Sequence, residues 1–558
     1  MIGTAGCNST KAPPNLVTPS GQPDAAIFVS KQAPVMVSLL ANPDRLPSLE
    51  RDGELSKLKT SLLANTNIDY QQDIKPWLGN EITLAVTTLD LDRDSENGRQ
   101  PGYLMALATQ EPEKSREFVE LLFSKRSLAG SNLAVEQYKG IKLIYDTKQE
   151  TPVEEKRAGG YFSSKDRQSK DNSKSTTQNS LAGAVVGDNF VLFANDPKVL
   201  RDAINNVQAP DLNLTSSSKY QQAIKEVPKD ALVVAFFNLP IVAKWQGLEP
   251  ETQTYDSQIV SLVANRTGLI AETGLLAKEK NLLLPKELSK PVAALQYIPA
   301  SAGLTVASSN LTNLDNNNLA LLWQQVIAVM SGSKEDTFSG LLQPLATLQK
   351  RWGINWKEDI FSWVQGEYAI GLLPGKDQAN PDWVFVAEKT EATPSAISHL
   401  NEVASSTGLS LNSLTLNEQK IFAWTELAAT STQSALAKDR QTYTIQAKVL
   451  GTYADVGDYE IIASSIEAMD AALGAKENSL ANNSDFQNSI AALPQPNQGY
   501  LFLDWTKSQE IVETQLPILK FVEVIGKPLF QNLRSLTLSS YGSNPELLKG
   551  GVFFQFNS

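Results

Sequence analysis

Few side chains in this sequence could do chemistry. Its 558 residues contain one histidine, His399, and one cysteine, Cys7. A Ser-His-Asp relay would need His399 as its base, and no Gly-x-Ser-x-Gly turn offers it a nucleophile. His399 is therefore expected to be a solvent-facing residue on the helix after Pro394. Zinc held by cysteine and histidine is excluded, because neither residue occurs twice. No Gly-x-x-x-x-Gly-Lys loop is available to cradle a phosphate, and the sequence implies no cofactor.

Carboxylates remain. Asp90, Asp92 and Asp94, with Glu96 and Asn97, alternate through one loop as calcium ligands do. Ser95 stands where such a loop wants glycine and Pro101 where it wants glutamate, so a solvated loop is the stronger expectation and calcium the weaker. Glu81 and Glu367 follow tryptophans at equal spacing. Burying a carboxylate without a partner is costly, so each is expected at a wet strand edge or accepting from a backbone N–H. Asp188 and Asp458 sit in Gly-Asp pairs and read as hairpin turn residues.

Composition narrows the possibilities further. The 49 Lys and Arg residues against 61 Asp and Glu give a net charge of -12, with no basic stripe, which disfavours nucleic acid as a partner. No apolar run reaches the ~20 residues that span a bilayer. The longest, from Leu319 to Met330, is interrupted by Gln324 and Gln325. With 42% apolar residues the chain has enough material for two or three cores.

Cys7 follows Ala5 and Gly6, as the modified cysteine of a bacterial lipoprotein does, although Thr4 replaces the usual leucine and the basic and apolar regions of such a signal are absent. The sequence thus either is truncated there or starts at an internal methionine. Asn8 to Asp24 is polar and rich in proline, too poor in apolar residues to bury a core and suited to a tether. Residues 1–24 are therefore expected to be a lipid-anchored N-terminus, with Cys7 as the lipidation site.

The elements that must position these residues occur twice. Asp73, Ile74, Trp77 and Glu81 return as Asp359, Ile360, Trp363 and Glu367, each 286 positions later. In both halves a strand follows, then a helix with proline in its first turn. Thr393 is expected to cap the second of these helices, with Ile397, Leu400, Val403 and Ala404 facing inward. A Gly-Asp hairpin comes next, then a short helix, capped by Asp196 in the first half. Ser218 to Ile224 and the strand ending at Asn238 match Ser484 to Ile490 and the strand ending at Asp504, all 266 positions apart. Trp77 and Trp363 read as core anchors.

These patterns predict an α+β fold of two tandem pseudo-equivalent units at 25–290 and 291–558. Each is expected to be a mixed but mainly antiparallel sheet covered on one face by helices. Residues 146–180, rich in Lys, Ser, Asp and Gln, are expected to be a mobile hairpin extension, with a polar counterpart near Ala428 to Asp439.

The doubled Asp-Ile-x-x-Trp signature, the Gly-Asp hairpin, the Tyr or Phe-Gln-x-x-Ile segment and the Ala-Ala-x-Phe-Val-x-Lys head resemble a family catalogued as domain of unknown function 3352, found largely in cyanobacteria. The resemblance covers nearly all of residues 25 to 556 and implies an extracytoplasmic, membrane-anchored protein, on the periplasmic or thylakoid-lumen side. It brings no reaction, cofactor or catalytic residue. The leading expectation is a non-enzymatic binding or scaffold protein, held to a membrane by its lipid anchor and meeting an unknown protein or lipid partner. A second is a carrier of lipid or pigment in a groove lined by Phe28, Phe236, Phe237 and Leu503, and a third is a hydrolase working through paired carboxylates.

Overall fold

Apolar and polar residues alternate at period two along Ile82 to Val86, and that stretch lies within a strand whose neighbours all pair antiparallel. The computed structural model describes residues 22–40, 69–94, 96, 98–147, 180–245, 254–279, 286–312, 318–319, 321–322, 354–374, 381–432, 442–508 and 532–557. Cys7, most of the proline-rich tether, nearly all of the 146–180 segment, most of the Leu319 to Met330 run and residues 433–441 lie outside these. The fold is α+β. By contacts it divides into two compact units, 1–250 and 251–558.

The first unit opens with a 3-10 turn at Asp24–Phe28 and strand β1 (Val35–Leu39). A π-helical turn (Tyr70–Ile74) leads into β2 (Leu78–Thr88), β3 (Gly102–Thr109) and helix α1 (Pro112–Leu128). Next come β4 (Leu133–Tyr138), β5 (Ile141–Asp146), β6 (Ala182–Val186) and β7 (Phe190–Ala194). Helices α2 (Pro197–Gln208) and α3 (Ser218–Ile224), β8 (Val233–Asn238) and α4 (Leu239–Trp245) complete it. The sheet order is β4-β5-β6-β7-β3-β2-β1-β8.

Pro112 can open α1 because the first N–H of a helix has no partner to lose. Phe118, Val119, Leu122 and Phe123 share one face of α1 and pack with Trp77, Leu107, Val191 and Phe193. Asp196 caps α2, its Oδ1 accepting from Lys198 N at 2.9 Å. The β6–β7 turn needs a positive φ, which Gly187 supplies at 60°.

The second unit begins with the hairpin β9 (Tyr255–Asn265) and β10 (Gly268–Ala277), followed by a 3-10 turn at Ala293–Tyr297 and β11 (Leu304–Ser309). A π-helical turn (Trp356–Ile360) precedes β12 (Glu367–Leu373), β13 (Asp382–Glu388), helix α5 (Thr393–Ser406), β14 (Ser410–Leu416), β15 (Gln419–Thr432), β16 (Thr442–Val456) and β17 (Tyr459–Ala463). Helices α6 (Ile466–Leu473) and α7 (Ser484–Ala491) and strands β18 (Tyr500–Asp504), β19 (Leu533–Ser540) and β20 (Leu547–Phe556) follow. Its sheet runs β14-β15-β16-β17-β13-β12-β11-β18-β19-β20-β10-β9.

Four expectations need correction. Every pairing between the named strands is antiparallel, so the sheet is not mixed. Single-face coverage fails for β13 and β17, whose runs Trp383 to Ala387 and Tyr459 to Ala463 are buried on both faces. Continuous apolar runs of this kind mark strands covered on both sides. Thr393 is the first helical residue rather than the cap, and its Oγ1 turns back to accept from Thr390 N at 2.9 Å. The 428–432 part of the second polar stretch extends β15 as regular strand against β16.

Candidate functional site

The doubled signature builds the same local geometry twice. Asp73 N donates to Asp69 O at 2.8 Å while its Oδ2 accepts from Asp69 N at 2.8 Å. Asp359 and Asn355 exchange the same two bonds, each at 2.7 Å. Trp77 Nε1 donates to Asp73 O at 2.7 Å and Trp363 Nε1 to Asp359 O at 3.1 Å. Trp77 is 1% exposed, with its ring 5.3 Å from that of Phe118. Trp363 lies against Phe385 with the rings 6.5 Å apart. These side chains shape the turn and anchor the core.

Glu81 accepts from Asp24 N and Ala25 N, at 2.9 and 3.0 Å, and from Thr83 Oγ1 at 2.7 Å. Burial pushes its carboxyl above the ordinary value, and the bonds it accepts partly offset that push. Glu367 accepts from Ala293 N at 2.8 Å. Both glutamates thus hold the start of a head turn, where unpaired N–H groups favour an anion. Replacing Glu81 with alanine strands two amides, while the Thr83 hydroxyl keeps Ser38 Oγ at 2.7 Å, and is expected to lower the first unit's stability by about 1–3 kcal/mol. Glu367→Ala, at a less buried position, is expected to cost the second unit less. Urea unfolding of both variants checks this, and an equal or reversed order counts against it.

The acidic loop does not converge on a cation. Asp92 Oδ1 accepts from Asp94 N at 3.1 Å, Asp94 Oδ1 from Glu96 N at 3.0 Å, and Asp90 Oδ1 from Gln100 N at 3.4 Å. Among the described residues no three acidic, histidine or cysteine side chains are grouped to hold a metal, so the calcium expectation has no geometric support. His399 is exposed on α5, as expected, and its Nε2 lies 3.0 Å from Asp359 Oδ1, tying the helix to the π-helical turn. Asp188 pairs with Arg116 beside its turn. Gly457, at φ 59°, shapes the turn that carries Asp458.

The carboxyls raised by burial are scattered. Glu81 lies at the head of the first unit, Asp202 on α2, and Glu460 on β17. Glu460 stands opposite Asp455 on β16. Burial first, and then the Asp455 charge, push its carboxyl up to about 7, and Lys389 draws it back a little. Its Oε1 is buried with no hydrogen-bond partner. Asp455 is exposed and paired with Lys389 Nζ at 2.6 Å. One raised carboxyl beside an exposed, lysine-paired one does not by itself support the paired-carboxylate expectation. Sequence reasoning overlooked Glu460, although a lone acid in the short apolar run Tyr459 to Ala463 was a visible signal.

The expected groove lining also needs correction. Phe28, Phe236 and Leu503 are buried in packed core, Phe28 edge-on to Phe190 at 5.1 Å and Phe236 edge-on to Tyr220 at 5.3 Å. Phe237, the fourth of the expected residues, is half-buried and stands opposite Val35 across β8 and β1. An open apolar trough of about 670 Å³ lies on the sheet of the first unit. Its walls include Val35 and Val37 on β1, Leu84 and Val86 on β2, and Tyr103 and Met105 on β3. Leu84 is 43% exposed and Tyr103 48%. Among the described residues no charged side chain lines it. Asn195, at one end, already accepts from Tyr103 N and donates to Pro101 O, each at 2.8 Å.

The matching wall of the second unit is closed. Trp383 holds the place of Tyr103, its backbone N bonded to Ser464 Oγ at 2.9 Å as that of Tyr103 is to Asn195. Trp383 is 1% exposed, with the ring of Trp356 edge-on at 5.4 Å. Leu304, Val306, Ile370 and Phe385 beside it are all buried.

Among solved structures, two crystal forms of TP0453, forms I and III, resemble 46% of this chain and 80% of theirs. Their identities are 10% and 11% and their TM-scores 0.25 and 0.24, a likeness that carries no argument. No curated protein matches the chain in sequence. The family described as "Protein of unknown function (DUF3352)" matches residues 1–556, and the chain belongs to that family.

Proposed function

We propose that this is a non-catalytic extracytoplasmic binding protein, tethered to a membrane through Cys7 and built from two copies of one unit. In this reading the first copy keeps an apolar ligand site that the second has filled. Duplication is supported by matching bonds in the two halves: the indole to the aspartate carbonyl, the glutamate to the head turn, and the Tyr220–Phe236 and Phe486–Phe502 ring pairs, both at 5.3 Å. The tether rests on the residues around Cys7 and the proline-rich stretch after it. The binding role rests on the open trough, whose volume falls within the ~300–1,000 Å³ of ligand pockets.

An uncharged naphthylamine fluorophore tests the site. The chain is expected to bind one equivalent, and Leu84→Arg, which sets a charge in the trough from a half-exposed position, to weaken binding at least tenfold with an unchanged unfolding midpoint. Absence of binding, or binding indifferent to Leu84→Arg, sinks the reading.

A further inference from the structure

We infer that the trough receives one uncharged hydrocarbon chain of a membrane lipid, with the headgroup left outside, rather than a free fatty acid. This rests on the apolar-site reading above and specifies its ligand.

Shape is the first argument. Val35, Val86 and Tyr103 form one rung across the sheet, and Val37, Leu84 and Met105 form the next, by the register of β1, β2 and β3. Met105 continues the second rung to Phe193 on β7. Four strands at a spacing of ~4.8 Å make the trough about 14 Å long, while two rungs make it only about 7 Å wide. A slot this narrow matches an extended chain lying across the strands better than a broad planar ring.

Charge is the second argument. An ionised carboxylate drawn into the trough would meet no cation among the described residues that line it. Of the cations near the 87–102 segment, Lys198 Nζ donates to Leu91 O at 2.5 Å, Arg99 Nη1 donates to Trp245 O at 2.6 Å, and Arg93 acts on the Asp202 carboxylate. An unpaired buried charge is strongly disfavoured, whereas a neutral chain loses nothing by entering. Asn195 has its side-chain polar atoms in backbone bonds, so this end selects for hydrocarbon instead of gripping a headgroup. In the second unit the same wall is satisfied by an indole, an uncharged apolar filler.

The experiment uses the full chain carrying Cys7→Ser, so that no anchor of its own holds it to lipid. It is incubated with phosphatidylcholine vesicles, separated from them, and the lipid carried away is counted by mass spectrometry. Monooleoylglycerol and oleate at pH 9 are titrated in parallel. One phosphatidylcholine per chain is expected, falling at least tenfold in Leu84→Arg and unchanged in Leu427→Arg on β15. Oleate is expected to bind at least tenfold more weakly than the glyceride. Oleate binding as tightly as the glyceride overturns the inference and leaves the apolar site standing. The same holds if a planar pigment binds where the glyceride does not. Failure of the naphthylamine fluorophore together with both lipids overturns the site as well.

Discussion

Truncating Trp77 to alanine is expected to destabilise the first unit by about 3–5 kcal/mol, the range for removing a large aromatic from a core that cannot collapse around the gap. The indole lies among Ile74, Leu107, Phe118 and Phe123, and its Nε1 closes the π-helical turn by bonding Asp73 O at 2.7 Å. Truncation therefore empties a packed volume and frees a backbone carbonyl together. Trp363→Ala is expected to lower the second unit by a similar amount. Trp77→Phe keeps most of the packing and loses the hydrogen bond, so about 1 kcal/mol is expected there. Two units need not unfold in one step, so urea transitions followed by hydrogen exchange in each unit provide the readout. A loss under about 1 kcal/mol for Trp77→Ala would contradict the anchor role.

The second large effect concerns pH. Folding lifts the Glu460 carboxyl from an ordinary 4.5 to about 7. Between those values the folded chain holds a proton that the unfolded chain releases. The stability this group lends is therefore whole below about pH 4.5 and is lost as pH rises through 7. A lift of this size is worth about 3 kcal/mol, to order of magnitude. Glu460→Gln should remove the dependence: near pH 5 it should match the parent chain, and at pH 8 it should exceed it by up to about 3 kcal/mol. Charge elsewhere modulates the same transition, since Asp455 raises the carboxyl and Lys389 lowers it. Identical slopes of stability against pH in the two proteins would remove Glu460 from this role.

The structural roles of the signature were legible because they are local. A tryptophan four residues after an aspartate, a glycine in a hairpin turn and an aspartate before Pro197 each act within a few residues of chain. Glu81 was legible in kind but not in partner, because its acceptors' donors lie 56 and 57 residues away. The trough was not legible at all. Leu84 and Ile370 occupy matching strand positions, yet one is half exposed and the other buried, a difference that the pattern of either strand does not carry. Aromatics were the natural guess for a groove, but Phe28 and Phe236 pack against their own core partners, Phe190 and Tyr220. Strand alternation marks two faces without saying which one is roofed.

Among the described strands the hairpin β9–β10 meets the rest of its sheet through β20, with Leu276 opposite Leu547, a partner made roughly 270 residues later. At translation speeds of ~5–20 residues per second, its outer hydrogen-bonding groups would wait on the order of tens of seconds for that partner. A nascent chain in this interval carries an unpaired strand margin that invites wrong pairings, including with a neighbouring nascent copy. Severing the gene after residue 290, where the sequence repeat turns over, would make the wait permanent, whereas a cut near 250 keeps the two ribbons on the same polypeptide.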